Sequence, residues 1–245
     1  MKKQTIVKML AAVVVSLAAP SLVASTIALN LDAANYTSIP GGEYNAYVTG
    51  LFKGQTPAQV LAGYASDAKT VVAGNLGFQT FCLEESEGFT PGKTYQAVVN
   101  DRAVAGGVNL SHPAVTPGAD ILSVGTTWLY AQFAKGTLAG YNYAWGAGRV
   151  ATAKELQATI WYLEDEAADP GAANPFRNAV VGHFVDPKVD AVAGLDGVYA
   201  VNLTLNGTLK QDVLIYLTPD GGLTVSLLGL GLAAVGVFGL RAKED

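Results

Sequence analysis

The chain contains a single cysteine, Cys82, in the stretch FQTFCLEESEG at residues 78–88. Exported proteins usually carry cysteines in pairs or carry none, because an oxidising compartment turns a leftover thiol into a liability or an intermolecular bridge. Two interpretations of Cys82 therefore stand side by side. It is either a small buried hydrophobe between Phe81 and Leu83, as free cysteines commonly are, or a nucleophile with a partner elsewhere in the chain.

A second group with chemical potential is the side-chain amide of Gln157. Leu156, Ile160 and Leu163 recur at helical spacing and form one apolar face, while Gln157 and Trp161 share the adjoining face. Gln157 thus lies at the edge of the buried stripe, beside a large aromatic ring. An uncharged amide in that place is either hydrogen-bonded internally or used in chemistry.

The helix that carries Gln157 is predicted from signals at both ends of residues 152–170. Thr152 followed three residues later by Glu155 forms a capping box, which predicts the helix start. Asp169 and Pro170 supply the stop signal. A second, shorter amphipathic helix is predicted over residues 123–136, ending at a glycine.

Most of the remaining domain reads as β-strands. Residues 198–217 alternate apolar and polar side chains on both sides of Asn206-Gly207, the strongest short hairpin signal. The same alternation recurs at 44–52, 78–84 and 94–100. We therefore expect a β-rich α+β fold, with an antiparallel β-sandwich or barrel-like lobe and an inserted helical lobe.

Both ends of the chain carry membrane-related signals. Residues 1–25 combine early lysines, the apolar run MLAAVVVSLAA and small residues near a cleavage point, the layout of a secretory signal peptide. Residues 223–240 form eighteen uncharged positions, enough for a helix of about 27 Å that crosses a hydrocarbon core. Arg241 and Lys243 follow at once and mark the cytoplasmic side. These features predict an exported domain over residues 26–218 and a C-terminal transmembrane helix.

Composition excludes several classes of function. The formal net charge is −5 and no cluster of Lys or Arg is present, which argues against a nucleic-acid partner. His112 and His183 lack the spacing of metal ligands, so neither a metal site nor a cofactor is expected. No set of nucleophile, base and orienting acid can be picked out, so the chain is not expected to be an enzyme.

Two short motifs carry a resemblance to a known family. FCLE around Cys82 and LQATIWYLED around Gln157 resemble the motifs of the thioester domains of bacterial surface adhesins, also called TQXA domains. The resemblance covers about residues 78–167. Leu156 and Thr159 stand where that family usually has threonine and alanine, but neither change removes a reacting atom.

The resemblance implies an internal thioester. In that family the cysteine sulfur attacks the glutamine carbonyl and ammonia leaves, which here would join Cys82 to Gln157. A thioester is slowly destroyed by water, so the bond requires a shielding shell of apolar and aromatic neighbours. The candidates for that shell are Phe81, Trp161 and Tyr162.

The tail over residues 219–245 resembles the PEP-CTERM class of sorting signals, which an exosortase recognises. The motif positions are occupied by Pro219, Asp220, Gly221 and Gly222, followed by the glycine-rich apolar helix and a basic end. The resemblance implies an exosortase-like transpeptidase as a partner and transient anchoring in the inner membrane. The alternative is a permanent single-pass anchor.

Together these features predict an exported, surface-anchored bacterial protein, located at the inner membrane and then at the cell surface or outside the cell. Its expected activity is adhesin-like: an amine on a ligand attacks the thioester of Cys82 and Gln157 and becomes covalently bound. The alternative is a non-reactive structural component of an extracellular matrix or biofilm.

Overall fold

The computed structural model describes residues 25–30, 43–72, 74–104 and 120–218. The predicted signal peptide, apart from its last residue, lies outside this part of the chain. So do the sorting motif from Pro219 to Gly222 and the predicted transmembrane segment. Among the described residues, no helix has both the length and the apolar character needed to cross a membrane.

Antiparallel strands form the larger part of the domain. Within the described ranges, seven strands make one sheet in the order β3-β4-β2-β1-β5-β8-β9, and β6 pairs with β7 separately. Their bounds are β1 Ser25–Asn30, β2 Tyr44–Val48, β3 Lys69–Val72, β4 Asn75–Thr80, β5 Lys93–Asn100, β6 Arg102–Ala103, β7 Asp120–Ile121, β8 Val198–Leu205 and β9 Thr208–Tyr216. The antiparallel sheet and the mixed helix and strand content confirm the α+β prediction.

Three of the helices lie between β7 and β8 in the sequence. These are α2 Val124–Ala134, α3 Ala147–Leu163 and α4 Pro175–His183, whereas the short α1 Pro57–Ala62 precedes β3. α2 packs against α3, α4, β8 and β9, so it connects the helices to the sheet. α2 lies within the predicted range 123–136 and begins after Ser123, whose hydroxyl accepts from the Thr126 N–H.

The β8–β9 hairpin turns at the predicted pair. Asn206 and Gly207 have φ angles of 53° and 78°, the positive values that a tight hairpin of this kind requires. The resulting strand β9 lies at one end of the sheet order. Its outer side is met by the segment directly after β4: the Leu83 N–H donates to Asp212 O, and the Leu214 N–H donates to Phe81 O.

The predicted start of the Gln157 helix is wrong. α3 begins at Ala147, after Gly146 at φ 132°, and the side chain of Thr152 does not cap it. Instead, the Thr152 hydroxyl donates to the backbone carbonyls of Gly148 and Arg149 inside the first turns. The helix also ends earlier than predicted, at Leu163. Compared with the prediction, the helix is shifted toward the N-terminus and includes Arg149.

Candidate functional site

Cys82 lies on the segment directly after β4. β4 is near one end of the strand order, and this segment hydrogen-bonds to β9 at the other end. The predicted strand over 78–84 stops at Thr80, and Cys82 instead forms an isolated antiparallel bridge with Val213 of β9. Its side chain is 4% exposed and belongs to a small buried cluster with Tyr44 and Trp161. Phe89 and Ala167 pack against this cluster. The thiol is thus fixed in a mostly apolar and aromatic environment.

Gln157 meets Cys82 through two hydrogen bonds. The backbone N–H of Cys82 donates to Gln157 Oε1 over 3.0 Å, and Gln157 Nε2 donates to the carbonyl oxygen of Cys82 over 2.8 Å. The Gln157 side chain is 1% exposed. Both ends of the amide are thus bound to the backbone of the residue that carries the thiol. The structure therefore brings Gln157 into direct contact with Cys82, the two residues that the sequence singled out.

A buried ion pair holds α3 against the sheet. The Arg149 guanidinium donates to both carboxylate oxygens of Glu43, with Nε 2.9 Å from Oε2, and both side chains are 0% exposed. The Tyr141 hydroxyl donates to the same carboxylate over 2.8 Å. Glu43 directly precedes Tyr44, which contacts Cys82. The pair therefore links the first turn of α3 to the strand beside the thiol.

The two positions that differ from the thioester-domain pattern have structural roles. Leu156 is fully buried in the main core. The Thr159 hydroxyl donates to the side-chain oxygen of Asn174 and to the Glu155 carbonyl, each over 3.0 Å. Asn174 in turn caps α4 by accepting from the N–H groups of Phe176 and Arg177. Leu156 belongs to the main core and not to the small cluster that contains Cys82.

The environment of the thiol disfavours its ionised form. Burial raises the pKa of the Cys82 thiol well above its usual range, and the charge of Glu84 acts in the same direction. A hydrogen bond with the Tyr44 side chain opposes this by lowering the pKa. Cys82 is therefore a neutral thiol at pH 7, and its proton must leave during any attack on the amide.

Carboxylates directly after the C-terminal end of α3 connect this helix to the segment that follows Cys82 and to the start of α2. The Glu85 N–H donates to Glu166 Oε2 over 3.2 Å. Glu164 Oε1 accepts from both the N–H and the hydroxyl of Ser123, over 3.1 and 2.8 Å. The pKa of Glu164 is raised to about 7: burial is the main cause, hydrogen bonds with Thr126 and Ser123 oppose the shift, and the charge of Asp165 adds to it.

The raised pKa of Glu164 makes stability depend on pH. Because the folded state holds this proton more tightly than the unfolded state, its contribution to stability is complete below the unfolded pKa and is lost as pH rises to about 7. We expect Glu164 to lower the free energy of unfolding between about pH 4.5 and 7, by at most about 1.4 kcal/mol per pH unit for this one group. Urea unfolding across this range measures it.

The Glu164→Gln variant isolates this effect, because an amide keeps the hydrogen-bond acceptor and cannot ionise. The slope of stability against pH should be shallower in this variant, while Glu155→Gln on the same helix leaves it unchanged. An identical slope in Glu164→Gln and the unsubstituted chain would contradict the assignment.

The predicted shell residues lie in different places. Trp161 packs in the cluster with Cys82. Phe81 lies in the main core, edge-on to Phe133 with ring centroids 5.0 Å apart. Tyr162 is partly buried against the main core, with the Lys188 ammonium 4.1 Å above its ring. The structure thus brings one of the three to the thiol.

Tyr44 and Phe89 complete the cluster and were not singled out in the sequence. Their rings pack edge to face, with centroids 4.8 Å apart. Tyr44 reaches Cys82 because β2 and β4 are neighbours in the sheet, where Tyr44 pairs with Thr80. No local motif marks either residue, so Tyr44 could have been identified only from the strand order.

The one histidine that the structure describes packs against an aromatic ring, and the described residues form no metal site. His183 stacks on the Trp128 ring, with centroids 4.6 Å apart and 17° between the planes. Among the residues that the structure describes, no group of three or more His, Cys, Asp or Glu side chains is arranged to hold a metal ion. His112 lies outside those residues.

Comparison with known proteins adds no relative. No protein-family model, no curated protein and no solved structure matches this chain.

Proposed function

We propose that the domain forms an internal thioester between Cys82 Sγ and the side-chain carbonyl carbon of Gln157. The observation that carries the proposal is the pair of hydrogen bonds that fixes the Gln157 amide on the backbone of Cys82. Holding two reacting groups in contact converts an improbable encounter into an intramolecular step. The bound N–H also polarises the amide carbonyl toward nucleophilic attack.

The reaction is balanced without any co-reactant. The sulfur adds to the carbonyl carbon, the carbon–nitrogen bond breaks, and the amide nitrogen leaves as ammonia together with the thiol proton. A primary amine then attacks the same carbon and forms a new amide, and the sulfur returns to Cys82 as a thiol. The cluster of Tyr44, Trp161 and Phe89 supports this proposal because it excludes water from an acyl group that water hydrolyses.

The biological role that fits this chemistry is covalent adhesion to an amine-bearing ligand. We extend the proposal to the ends of the chain as the sequence indicates: export by the N-terminal signal, then anchoring and sorting through the C-terminal tail by an exosortase-like enzyme. The contact between β9 and the segment after β4 is consistent with the barrel-like form of the predicted fold. If the bond does not form, the alternative role is that of a non-reactive component of an extracellular matrix or biofilm.

Intact mass decides whether the bond forms. We expect the purified domain to weigh less than its sequence by one ammonia, because the amide nitrogen is lost. The Cys82→Ala and Gln157→Ala variants should match their own calculated masses. Methylamine should add to the unsubstituted domain and expose one titratable thiol.

The Gln157→Glu variant is the matched control, since it keeps the size of the side chain and has no amide nitrogen to lose. It should show its full calculated mass and no reaction with methylamine. A full sequence mass and a freely titratable thiol in the unsubstituted domain would reject the thioester and favour the matrix role.

A further inference from the structure

The indole N–H of Trp161 is a buried hydrogen-bond donor without an acceptor. The side chain is 8% exposed, and Nε1 has no partner within the part of the chain that the structure describes. An indole nitrogen can only donate, so no other arrangement of its hydrogen satisfies it. Since nearly all buried polar groups in native proteins are paired, an unpaired donor calls for a specific explanation, such as a catalytic role.

Trp161 lies next to both reacting groups. It follows Gln157 by four residues on α3, so the two side chains share one helical face. Helical side chains lean toward the N-terminus, which directs the Trp161 ring back toward Gln157. The ring also packs in the cluster with Cys82 and Tyr44. The unpaired donor therefore lies in the buried cluster that contains the thiol and on the helix face that carries the amide.

The reaction requires a donor of this kind. When the sulfur adds to the Gln157 carbonyl carbon, an electron pair moves onto Oε1 and makes it an oxyanion. In the resting arrangement Oε1 accepts from the Cys82 N–H. A donor that is unpaired in the ground state and bonded in the transition state contributes only to the rate, which is what catalysis requires.

We propose that Trp161 is a catalytic residue whose indole N–H, together with the backbone N–H of Cys82, forms an oxyanion hole for Gln157 Oε1. This inference rests on the proposed thioester. The hole serves both steps. In the first, the carbon–nitrogen bond breaks and ammonia carries away the thiol proton. In the second, an amine adds, the carbon–sulfur bond breaks, and a proton from the amine returns to the sulfur.

No other buried side-chain nitrogen competes for this role. Among the described residues, Trp161 Nε1 is the only buried side-chain nitrogen without a hydrogen-bond partner. A nitrogen that donates suits an oxyanion, whereas carboxylate and amide oxygens accept hydrogen bonds and would repel it.

Trp161→Phe tests the proposal because it removes the N–H and keeps an aromatic ring. We expect methylamine to open the thioester about 10²- to 10³-fold more slowly at saturating amine. The melting temperature should change little, because the loss of an unsatisfied buried donor offsets the packing lost with the smaller ring. Trp128→Phe on α2 is the control, since Trp128 stacks on His183 and should react at the unsubstituted rate. Intact mass and thiol release follow the reaction.

The outcomes are distinguishable. A Trp161→Phe variant that lacks the ammonia loss but melts at the temperature of Gln157→Glu, which also lacks the bond, supports the oxyanion role in the first step. Reaction at the unsubstituted rate overturns it, and so does a slow reaction accompanied by a lower melting temperature, which indicates a packing role. A full sequence mass in the unsubstituted domain overturns the proposed function and this inference together.

Discussion

Replacing Arg149 with methionine is expected to lower the free energy of unfolding by about 3–5 kcal/mol. The substitution leaves Glu43 as a charged group with a fully buried side chain and no guanidinium to neutralise it. Denaturant unfolding measures the loss. Because Arg149 also fixes α3 beside the strand that carries Tyr44, the fraction of molecules showing the ammonia loss should fall as well.

A second arginine of the same chain provides the matched control. Arg177 also binds a carboxylate through two nitrogens, with Nε and Nη2 3.0 and 2.8 Å from Asp169, but both side chains are partly exposed. Arg177→Met should therefore have little effect on stability. Removing both charges in Arg149→Met with Glu43→Met should restore much of the lost stability. An effect of Arg149→Met no larger than that of Arg177→Met would show that the buried pair is not needed.

Opening the thioester with methylamine is expected to lower the free energy of unfolding by about 4–5 kcal/mol. Cys82 and Gln157 are 75 residues apart in the chain, and a bond between them restricts the unfolded state more than the folded state. The comparison uses the same polypeptide before and after amine treatment, so the sequence does not change. Urea unfolding of the two samples, each checked by intact mass, measures the difference.

Gln157→Glu and Cys82→Ser treated with methylamine are the controls, because neither has a thioester to open. Their unfolding curves should not change on treatment. If the unsubstituted domain shows the ammonia loss but keeps its stability after opening, the bond serves reactivity without stabilising the fold.

Local signals predicted the parts of the fold that local energetics determine. Asn206-Gly207 specifies the β8–β9 hairpin because both residues adopt positive φ angles readily. The start of α3 could not be predicted in this way. No side chain caps it at Gly146, and a contact between Arg149 and Glu43, 106 residues apart, holds its first turn in place.

The sequence identified the reacting pair of the candidate site but not the residues that surround it. Cys82 and Gln157 were marked by residue type and by motif, whereas Tyr44 depends on which strands become neighbours. The misplaced shell residues have a simple physical reason. Phe81 is adjacent to Cys82 in an extended segment, where successive side chains point to opposite faces. Tyr162 is about 100° around the helix from Trp161, so the two rings cannot both face the thiol.

The burial of Cys82 also protects a lone thiol from exchange with other proteins. Attack on a disulfide requires the thiolate, and burial keeps this thiol protonated. Because Cys82 is only 4% exposed, a disulfide on another protein also has little access to its sulfur. A lone cysteine thus becomes tolerable in the oxidising compartment predicted for this chain.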